Sequence, residues 1–215
     1  MTIEEMRALL GLGPEFSDAY VANAYAEYIG AGGAAAGDVE LIPLAIVKKH
    51  LRLEADDDAE DDLVALYLAA AIAHLDGRDG WLGRALVERV YVQTFAGFDC
   101  AGRLPYPPLV AVTGVERRDG DLWLPIAADE WNVVDDRLVP VAGGRWPAGA
   151  ARVTYRAGYD PEAGRPLPRA LQAAILIMTA DLFRNRGEVA STTTSRISMS
   201  ASVEALLSPF RIWRV

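Results

Sequence analysis

The chain has 215 residues, of which 52% are hydrophobic and 24% charged, a balance typical of a globular domain with a substantial core. Its formal net charge of −9 argues against specific recognition of duplex DNA, which requires clustered Lys and Arg to neutralise phosphates. No apolar run reaches the roughly 20 residues that a membrane-spanning helix requires, and Cys100, the only cysteine, excludes an internal disulfide.

The charge is distributed unevenly along the chain. Residues 1–62 hold 4 basic and 14 acidic groups, whereas residues 166–215 hold 6 basic and 3 acidic groups. An acidic front and a basic end predict either two surfaces with different partners or subunits that meet head to tail.

The first third of the sequence predicts helices. Residues 2–29 carry apolar side chains at the spacing of two short helices, and the small residues of 30–37 follow them as a linker. A third helix is predicted over 43–53 and a fourth over 63–75, separated by the acidic run 56–62. Acidic side chains before a helix interact favourably with its dipole. We interpret this run as a helix start rather than a calcium loop, because it does not match the glycine and glutamate positions of such a loop.

After Leu86 the residue period changes from helical to alternating, which is typical of β-strands. Val90, Val92 and Thr94 would lie on one face of a first strand. Further strand candidates are residues 110–115, 122–126, 131–134, 138–141 and 152–155. We therefore predict an α+β fold, with a helical bundle, an inserted antiparallel β region and an extended C-terminal tail.

The most apolar segment is residues 167–186, which predicts a long helix. Between residues 170 and 183 only three side chains are polar, so such a helix would need to be covered on nearly all sides. One apolar face is expected at Leu171, Ala174, Ile175, Met178 and Leu182, which follow the spacing of one helical face.

The chain ends in an apolar, aromatic tail over residues 202–215. Residues 203–207 predict a short helix, and after it come Phe210, Ile212 and Trp213. Either these side chains fold back onto their own subunit, as many C-termini do, or they dock on another chain. Because Trp and Arg are enriched at binding hot spots, we expect docking on another chain.

No residue pattern predicts catalysis, a metal site or a cofactor site. His50 and His74 are the only histidines, and they do not form the HExxH pattern of a zinc enzyme. A serine triad needs a histidine base, and Ser191 lacks a nucleophile-elbow pattern around it. Cys100 has no histidine nearby in the sequence. We therefore expect a protein that is not an enzyme and that carries no cofactor or metal.

A different class of function would use the tryptophans of the β region. Trp123, Trp131 and Trp146 all lie there. Such rings usually anchor sheet packing, but they can also stack on a ligand. The alternative hypothesis is therefore a small-molecule or carbohydrate-binding module that uses the Trp-bearing β insert. A pocket with convergent polar groups near Trp123 or Trp131 would favour it.

Several short segments occur in an order that resembles a known family. They are KKHLRL at 48–53, GRAL at 83–86, LPYPPLVAV at 104–112, WP at 146–147, VTYRAGY at 153–159, PRALQAA at 168–174, RNR at 184–186 and VEALLSPFR at 203–211. Together they resemble the head–tail connector (adaptor) family of long-tailed bacteriophages and of phage-derived gene transfer agents. The resemblance covers about residues 41–211. Residues 2–29 have no counterpart in the family's common core, and the acid that usually follows Arg-Asn-Arg is displaced to Glu188.

The resemblance implies a structural protein without catalysis. Members of the family form a twelve-subunit ring beneath the portal of a DNA-filled head, present the other side to a stopper or tail protein, and let DNA pass through. The chain is thus expected to form a homo-oligomeric ring at the head–tail junction of a virion or gene transfer agent particle, made in the bacterial cytoplasm without membrane contact. A tail-terminator or stopper ring is the alternative in this class. The expected portal-binding segment, with Phe210 and Trp213 as anchors, is Ser208, Pro209, Phe210, Arg211, Ile212, Trp213, Arg214 and Val215.

The predicted organisation has five parts, with boundaries where the composition or the residue period changes. They are an N-terminal helical arm and linker (1–37), the first helical part of the adaptor core (38–86), the β insert (87–160), the long core helix with a polar linker (161–201) and the partner-docking tail (202–215). We expect the tail to act on another chain, and the role of the arm stays open.

Overall fold

The computed structural model describes Glu4 and residues 40–77, 79–141, 144–185 and 199–213. Apart from Glu4, the predicted arm over 1–37 lies outside the described residues, as does most of the polar linker that precedes the tail. The described part contains α-helices and antiparallel sheets, so the predicted α+β class is confirmed. It divides into two compact units, a β unit of residues 87–158 and a helical unit of residues 39–86 and 159–215.

The helical unit contains four α-helices in its described residues, and each lies within a few residues of its prediction. They are α1 (Leu44–Leu51), α2 (Asp61–Leu75), α3 (Arg169–Arg184) and α4 (Ala201–Leu207), and a 3-10 turn (Ser208–Phe210) follows the last helix. None of the helices in the described ranges is long and apolar enough to cross a membrane.

Helix α3 is the centre of this unit. It begins after Pro168, whose missing N–H costs nothing at a helix start. The predicted face is confirmed at Leu171, Ala174 and Ile175, which are fully buried, and at Met178, which is nearly so, whereas Leu182 in the last turn is half-buried. The buried hydroxyl of Thr179 donates a hydrogen bond to the Ile175 carbonyl oxygen at 2.8 Å, so the polar residue causes no unpaired group.

Helix α2 has two apolar faces, but the structure buries only one of them. Val64, Ala71 and Leu75 are buried, and Tyr67 meets Phe183 of α3 edge to face, with ring centroids 6.5 Å apart. Leu66 on the other face is 62% exposed. The sequence period identified the helix, but both faces are apolar, so it did not distinguish the buried face from the exposed one.

The acidic run occupies the approach to α2, as predicted. Asp61 and Asp62 lie in the first turn, where negative charge is favourable. Lys48, which is buried, pairs with Asp61 at 2.9 Å and donates to the carbonyl oxygen of Asp57 at 2.7 Å. The loop is therefore organised by one lysine and carries its other acids at the surface.

The β unit contains a four-stranded antiparallel sheet with strand order β1-β6-β2-β3 and a separate two-stranded hairpin, β4-β5. The strands are β1 (Arg89–Phe95), β2 (Leu109–Asp119), β3 (Leu122–Pro125), β4 (Trp131–Val134), β5 (Arg137–Pro140) and β6 (Ala151–Ala157). Strand β6, the last in sequence, lies between β1 and β2, with Tyr155 opposite both Tyr91 and Val112.

The core of the β unit is built around stacked tyrosines. The rings of Tyr91 and Tyr155 stack with centroids 5.6 Å apart, and Tyr106 packs on Tyr91 at 5.2 Å. The Tyr155 hydroxyl donates to the Pro105 carbonyl oxygen at 2.8 Å. Burial raises the pKa of Tyr155, and electrostatic repulsion from the neighbouring titratable phenols of Tyr106 and Tyr91 raises it further, so this phenol stays protonated in the folded state.

Candidate docking site at the C-terminus

The predicted docking segment follows directly from α4 in the helical unit. Ser200 caps this helix, because its hydroxyl accepts a hydrogen bond from the Val203 N–H at 3.3 Å. Pro209 sits in the 3-10 turn that follows, and Arg211 then has extended backbone geometry. The chain therefore leaves α4 as a short, defined turn followed by an extended end.

This extended end is attached by its backbone to the loop that follows α2. The Ile212 N–H donates to the Leu82 carbonyl oxygen at 2.9 Å. In return, Nε of Arg84 donates to the Phe210 carbonyl oxygen at 3.0 Å. Gly83 between them has φ +64°, and a Cβ built there would lie 3.2 Å from the Ile212 carbonyl oxygen. The segment thus runs along residues 82–84 at close range.

The side chain of Arg211 stacks on two tryptophans. Its guanidinium carbon lies 4.2 Å from the ring centroid of Trp81 and 4.1 Å from that of Trp213. Both distances fall within the range in which a guanidinium is attracted to an indole face. We call Trp81, Arg211 and Trp213 the Trp-Arg-Trp cluster. The cluster joins Trp213 of the tail to Trp81 of the loop that follows α2.

The loop that receives the segment is itself held by the end of α2. The backbone N–H of Trp81 donates to the His74 carbonyl oxygen at 3.0 Å, and the backbone N–H of Gly77 donates to the Arg84 carbonyl oxygen at 2.8 Å. The carboxylate of Asp76 accepts from the Leu86 N–H at 2.6 Å. The receiving surface is therefore fixed independently of the tail.

The predicted portal-binding residues have different environments. Ser208 and Pro209 are exposed, while Phe210, Arg211 and Ile212 are half-buried. Trp213 is 71% exposed, the largest value among the exposed large apolar side chains of the described residues. Arg214 and Val215 lie outside the described residues. The backbone of the segment is thus held on its own chain, while the second predicted anchor, Trp213, presents its indole to solvent.

Sequence reasoning missed the residues that receive the segment. Gly83 and Arg84 belong to the GRAL segment that contributes to the family resemblance, and no role is predicted for Trp81. A tryptophan in a glycine-rich turn was the available signal, since an aromatic ring placed there must find a neighbour to cover it. The sequence offered no means of identifying that neighbour as Arg211.

The other candidate residues do not come together as a site. His50 is exposed, His74 is half-buried and Cys100 is exposed. Within the described residues, no group of three or more His, Cys, Asp or Glu side chains could hold a metal ion. One ring face of Trp123 is covered by the guanidinium of Arg152 at 4.7 Å. That contact reduces the indole surface available for a sugar.

A cavity of about 170 Å³ lies between α3 and α4. It is below the roughly 300–1,000 Å³ typical of small-molecule sites. Its lining includes neither Trp123 nor Trp131, so it does not favour the alternative of a carbohydrate-binding module. The lining residues are Met178, Asp181, Leu182, Asn185, Met199, Ser200 and Val203.

A scan against protein-family models and a search of curated proteins find no match. A search of solved structures does find matches. One matching chain comes from the neck of an empty gene transfer agent (GTA) particle computed with C6 symmetry. It is 27% identical with a TM-score of 0.63, and the match covers 85% of this chain and 95% of that chain.

Two further structures extend this similarity. A chain from the virion of a native GTA particle is 28% identical with a TM-score of 0.62, over 85% of this chain and 94% of that chain. A chain from the neck of a native GTA particle computed with C12 symmetry is 24% identical with a TM-score of 0.57, over 85% and 96%, and this match shows the fold alone.

These matches confirm the predicted resemblance. A neck or connector protein of a gene transfer agent particle fits this chain over most of its length. The same neighbours confirm the predicted location within such a particle, at its neck. They are structural components of a particle, so a structural role is supported.

Proposed function

We propose that the chain is a head-to-tail adaptor that forms a ring between the portal of a DNA-filled capsid and the tail, with DNA passing through the ring. This proposal rests on the match to two chains of GTA particles, one of them from the neck. Their sequence identity to this chain is 27–28%, and each match covers 85% of it. The exposed C-terminal indole adds a means of attachment.

The ring is supported by the symmetry of one neighbouring structure, the neck computed with C6 symmetry. A head-to-tail contact that closes by rotation generates such a ring from one kind of subunit. Twelve subunits, and action without catalysis or cofactor, follow from the family resemblance. The same proposal includes the arrangement of a helical bundle with a β insert and a C-terminal tail. It also includes the division of the chain into five parts.

In the proposed function, the segment from Ser208 to Val215 docks on the portal, with Trp213 as its main anchor. Phe210 is half-buried and already contributes its carbonyl oxygen to Arg84. Trp213 has 71% of its surface free. Tryptophan is the residue type most enriched at hot spots, and truncating one costs about 2 kcal/mol or more of binding free energy.

The substitution Trp213→Ala tests this docking. Because the side chain is mostly exposed, the subunit should stay folded, with an unchanged far-ultraviolet circular dichroism spectrum. Binding to purified portal rings of the same particle, measured by surface plasmon resonance, should weaken by about 30-fold or more. The matched control is Leu122→Ala, which removes a 67% exposed side chain from the β unit. Equal affinities for both variants would contradict portal docking by this tail.

The alternative of a stopper or tail-terminator ring is distinguished by the choice of partner. The adaptor proposal requires that the full chain bind portal rings. Native mass spectrometry of the complex should then give the mass of the portal ring plus one closed ring of adaptor subunits. A chain that binds tail rings and leaves portal rings free would favour the tail-terminator role instead. Deleting residues 208–215 is the weaker test, because it also removes the hydrogen bonds that the tail backbone makes to the Leu82 carbonyl oxygen and to the Arg84 side chain.

A further inference from the structure

The Trp-Arg-Trp cluster links a mostly exposed side chain, that of Trp213, to the loop that follows α2. Arg211 lies 4.2 Å from the Trp81 ring and 4.1 Å from the Trp213 ring. The backbone of Trp81 is hydrogen-bonded to the end of α2 through its N–H, and the residue is half-buried. Trp213 is mostly exposed, so its own contacts with the subunit are few. Arg211 therefore supplies a large share of what orders that ring.

Ordering such a side chain before binding has a direct consequence for affinity. Immobilising a rotamer-rich side chain at an interface costs roughly 0.5–1.5 kcal/mol, and this cost falls when the side chain is already held in place. The backbone on either side of Arg211 is also fixed, through the Phe210 carbonyl oxygen and the Ile212 N–H. The indole is thus presented from a rigid position.

We propose that Arg211 is a positioning residue of the docking tail, and that Trp81 acts with it to pre-organise Trp213 for its partner. This inference rests on the proposed function, in which the partner is the portal. Arg211 acts through the two indoles, and Trp81 contributes to affinity although it belongs to the loop and not to the tail. Neither role follows from the tail sequence alone.

The first test observes the cluster itself in the full chain. The chain has five tryptophans, so labelling with 5-fluorotryptophan yields five ¹⁹F resonances, assigned by single Trp→Phe variants. In Arg211→Met, which keeps an apolar stem, the resonances of Trp81 and Trp213 should shift and that of Trp213 should narrow as the ring gains mobility. The resonances of Trp123, Trp131 and Trp146 should stay in place. The control Arg145→Met makes the same change at an exposed arginine of the β unit and should move neither cluster resonance.

The second test measures affinity for portal rings of the same particle. Arg211→Met and Trp81→Leu should each weaken binding about ten-fold, and the double variant should weaken it by little more than either alone, because both break one unit. Arg211→Lys keeps a cation and should recover part of the loss, to about three-fold. Circular dichroism and thermal unfolding confirm that each variant is folded.

The outcomes separate this inference from the proposed function. If Trp213→Ala abolishes binding while Arg211→Met and Trp81→Leu leave it unchanged, docking stands and positioning is wrong. If Arg211→Met weakens binding but Trp81→Leu does not, Arg211 contacts the partner directly, which also overturns positioning. If Trp213→Ala has no effect, the proposed docking itself fails. Unchanged ¹⁹F resonances of Trp81 and Trp213 in Arg211→Met would show that the cluster does not order the tail.

Discussion

Each of the two compact units contains an arginine packed on tryptophan, and the two arginines differ in every other respect. In the β unit, Arg152 is buried, lies 4.7 Å from the Trp123 ring and donates two hydrogen bonds of 2.7 Å to Glu116. In the helical unit, Arg211 is half-exposed and stacks on Trp81 and Trp213 at the surface. One arginine is satisfied within the fold, and the other holds an exposed ring.

The difference illustrates how the same pair of residue types can serve folding in one unit and, in the proposed function, binding in the other. A buried guanidinium needs a hydrogen-bonded carboxylate, because an unpaired buried charge is costly. A surface guanidinium has no such need, since water solvates its N–H groups and the indole faces attract it. Arg152 should therefore control stability, and Arg211 should control attachment.

The largest effect is expected when arginine is replaced by methionine, first in the β unit and then, in a separate variant, in the helical unit. Arg152→Met leaves the Glu116 carboxylate without its partner and should lower the free energy of unfolding by about 3 kcal/mol. Arg211→Met should lower it by less than about 1 kcal/mol, because the contact is at the surface. Urea denaturation followed by circular dichroism measures both. Removing Glu116 as well, in Arg152→Met/Glu116→Leu, should restore part of the loss, and equal costs for the two single variants would contradict the comparison.

A smaller effect is expected at alkaline pH, and it belongs to the β unit. Burial raises the pKa of Tyr155 in the folded state, while in the unfolded chain it is about 10. Above about pH 10 the unfolded chain therefore releases a proton that the folded chain keeps. The stabilising effect of Tyr155 is complete below that pH, and it declines by about 1.4 kcal/mol per pH unit above it.

The matched variant for this pH effect is Tyr155→Phe. It should lose about 1 kcal/mol at neutral pH with the hydrogen bond to Pro105. Between about pH 9 and pH 11, the free energy of unfolding of this variant should fall less steeply than that of the parent chain. The difference in slope approaches that of one released proton, about 1.4 kcal/mol per pH unit. Identical slopes for parent and variant would show that Tyr155 titrates normally in the fold.

The smallest effect on stability, with a clear effect on the tail, is expected from Gly83→Ala. A Cβ at φ +64° is strained and costs about 1 kcal/mol, and here it would also press on the Ile212 carbonyl oxygen at 3.2 Å. Gly77→Ala is the control, because Gly77 has φ +76° in the same loop and nothing within 4 Å of the added Cβ. Both should lose similar stability, and only Gly83→Ala should shift the ¹⁹F resonance of Trp213. A shift in both variants would mean that the loop, and not the close approach, is responsible.

Much of the helical unit could be predicted because its signals are local. The spacing of Leu171, Ala174, Ile175 and Met178 identified the buried face of α3, and Pro168 marked its start. The acidic run before α2 was correctly interpreted as a helix start. Each of these signals arises from residues within a few positions of one another, which a helix brings together on one face.

The sheet and the docking site could be predicted only in part. The alternation of residues identified the strands, but the position of β6 between β1 and β2 depends on pairings between residues far apart in sequence, such as Tyr155 with Tyr91. Similarly, Trp213 and Arg211 are predicted from the sequence to bind a partner, whereas no role is predicted for Trp81, about 130 residues earlier.

The helices, the strands, the resemblance to head–tail connectors and the aromatic residues of the tail were all predictable from the residue order, because they depend on local periodicity and on the order of short segments. The exposed face of α2, the path of the tail and the stacking of Arg211 on two indoles emerge only in the folded chain. Those outcomes depend on the loop after α2 meeting the end of the chain. That contact joins residues about 130 positions apart, so it cannot be recognised from a local pattern in the sequence.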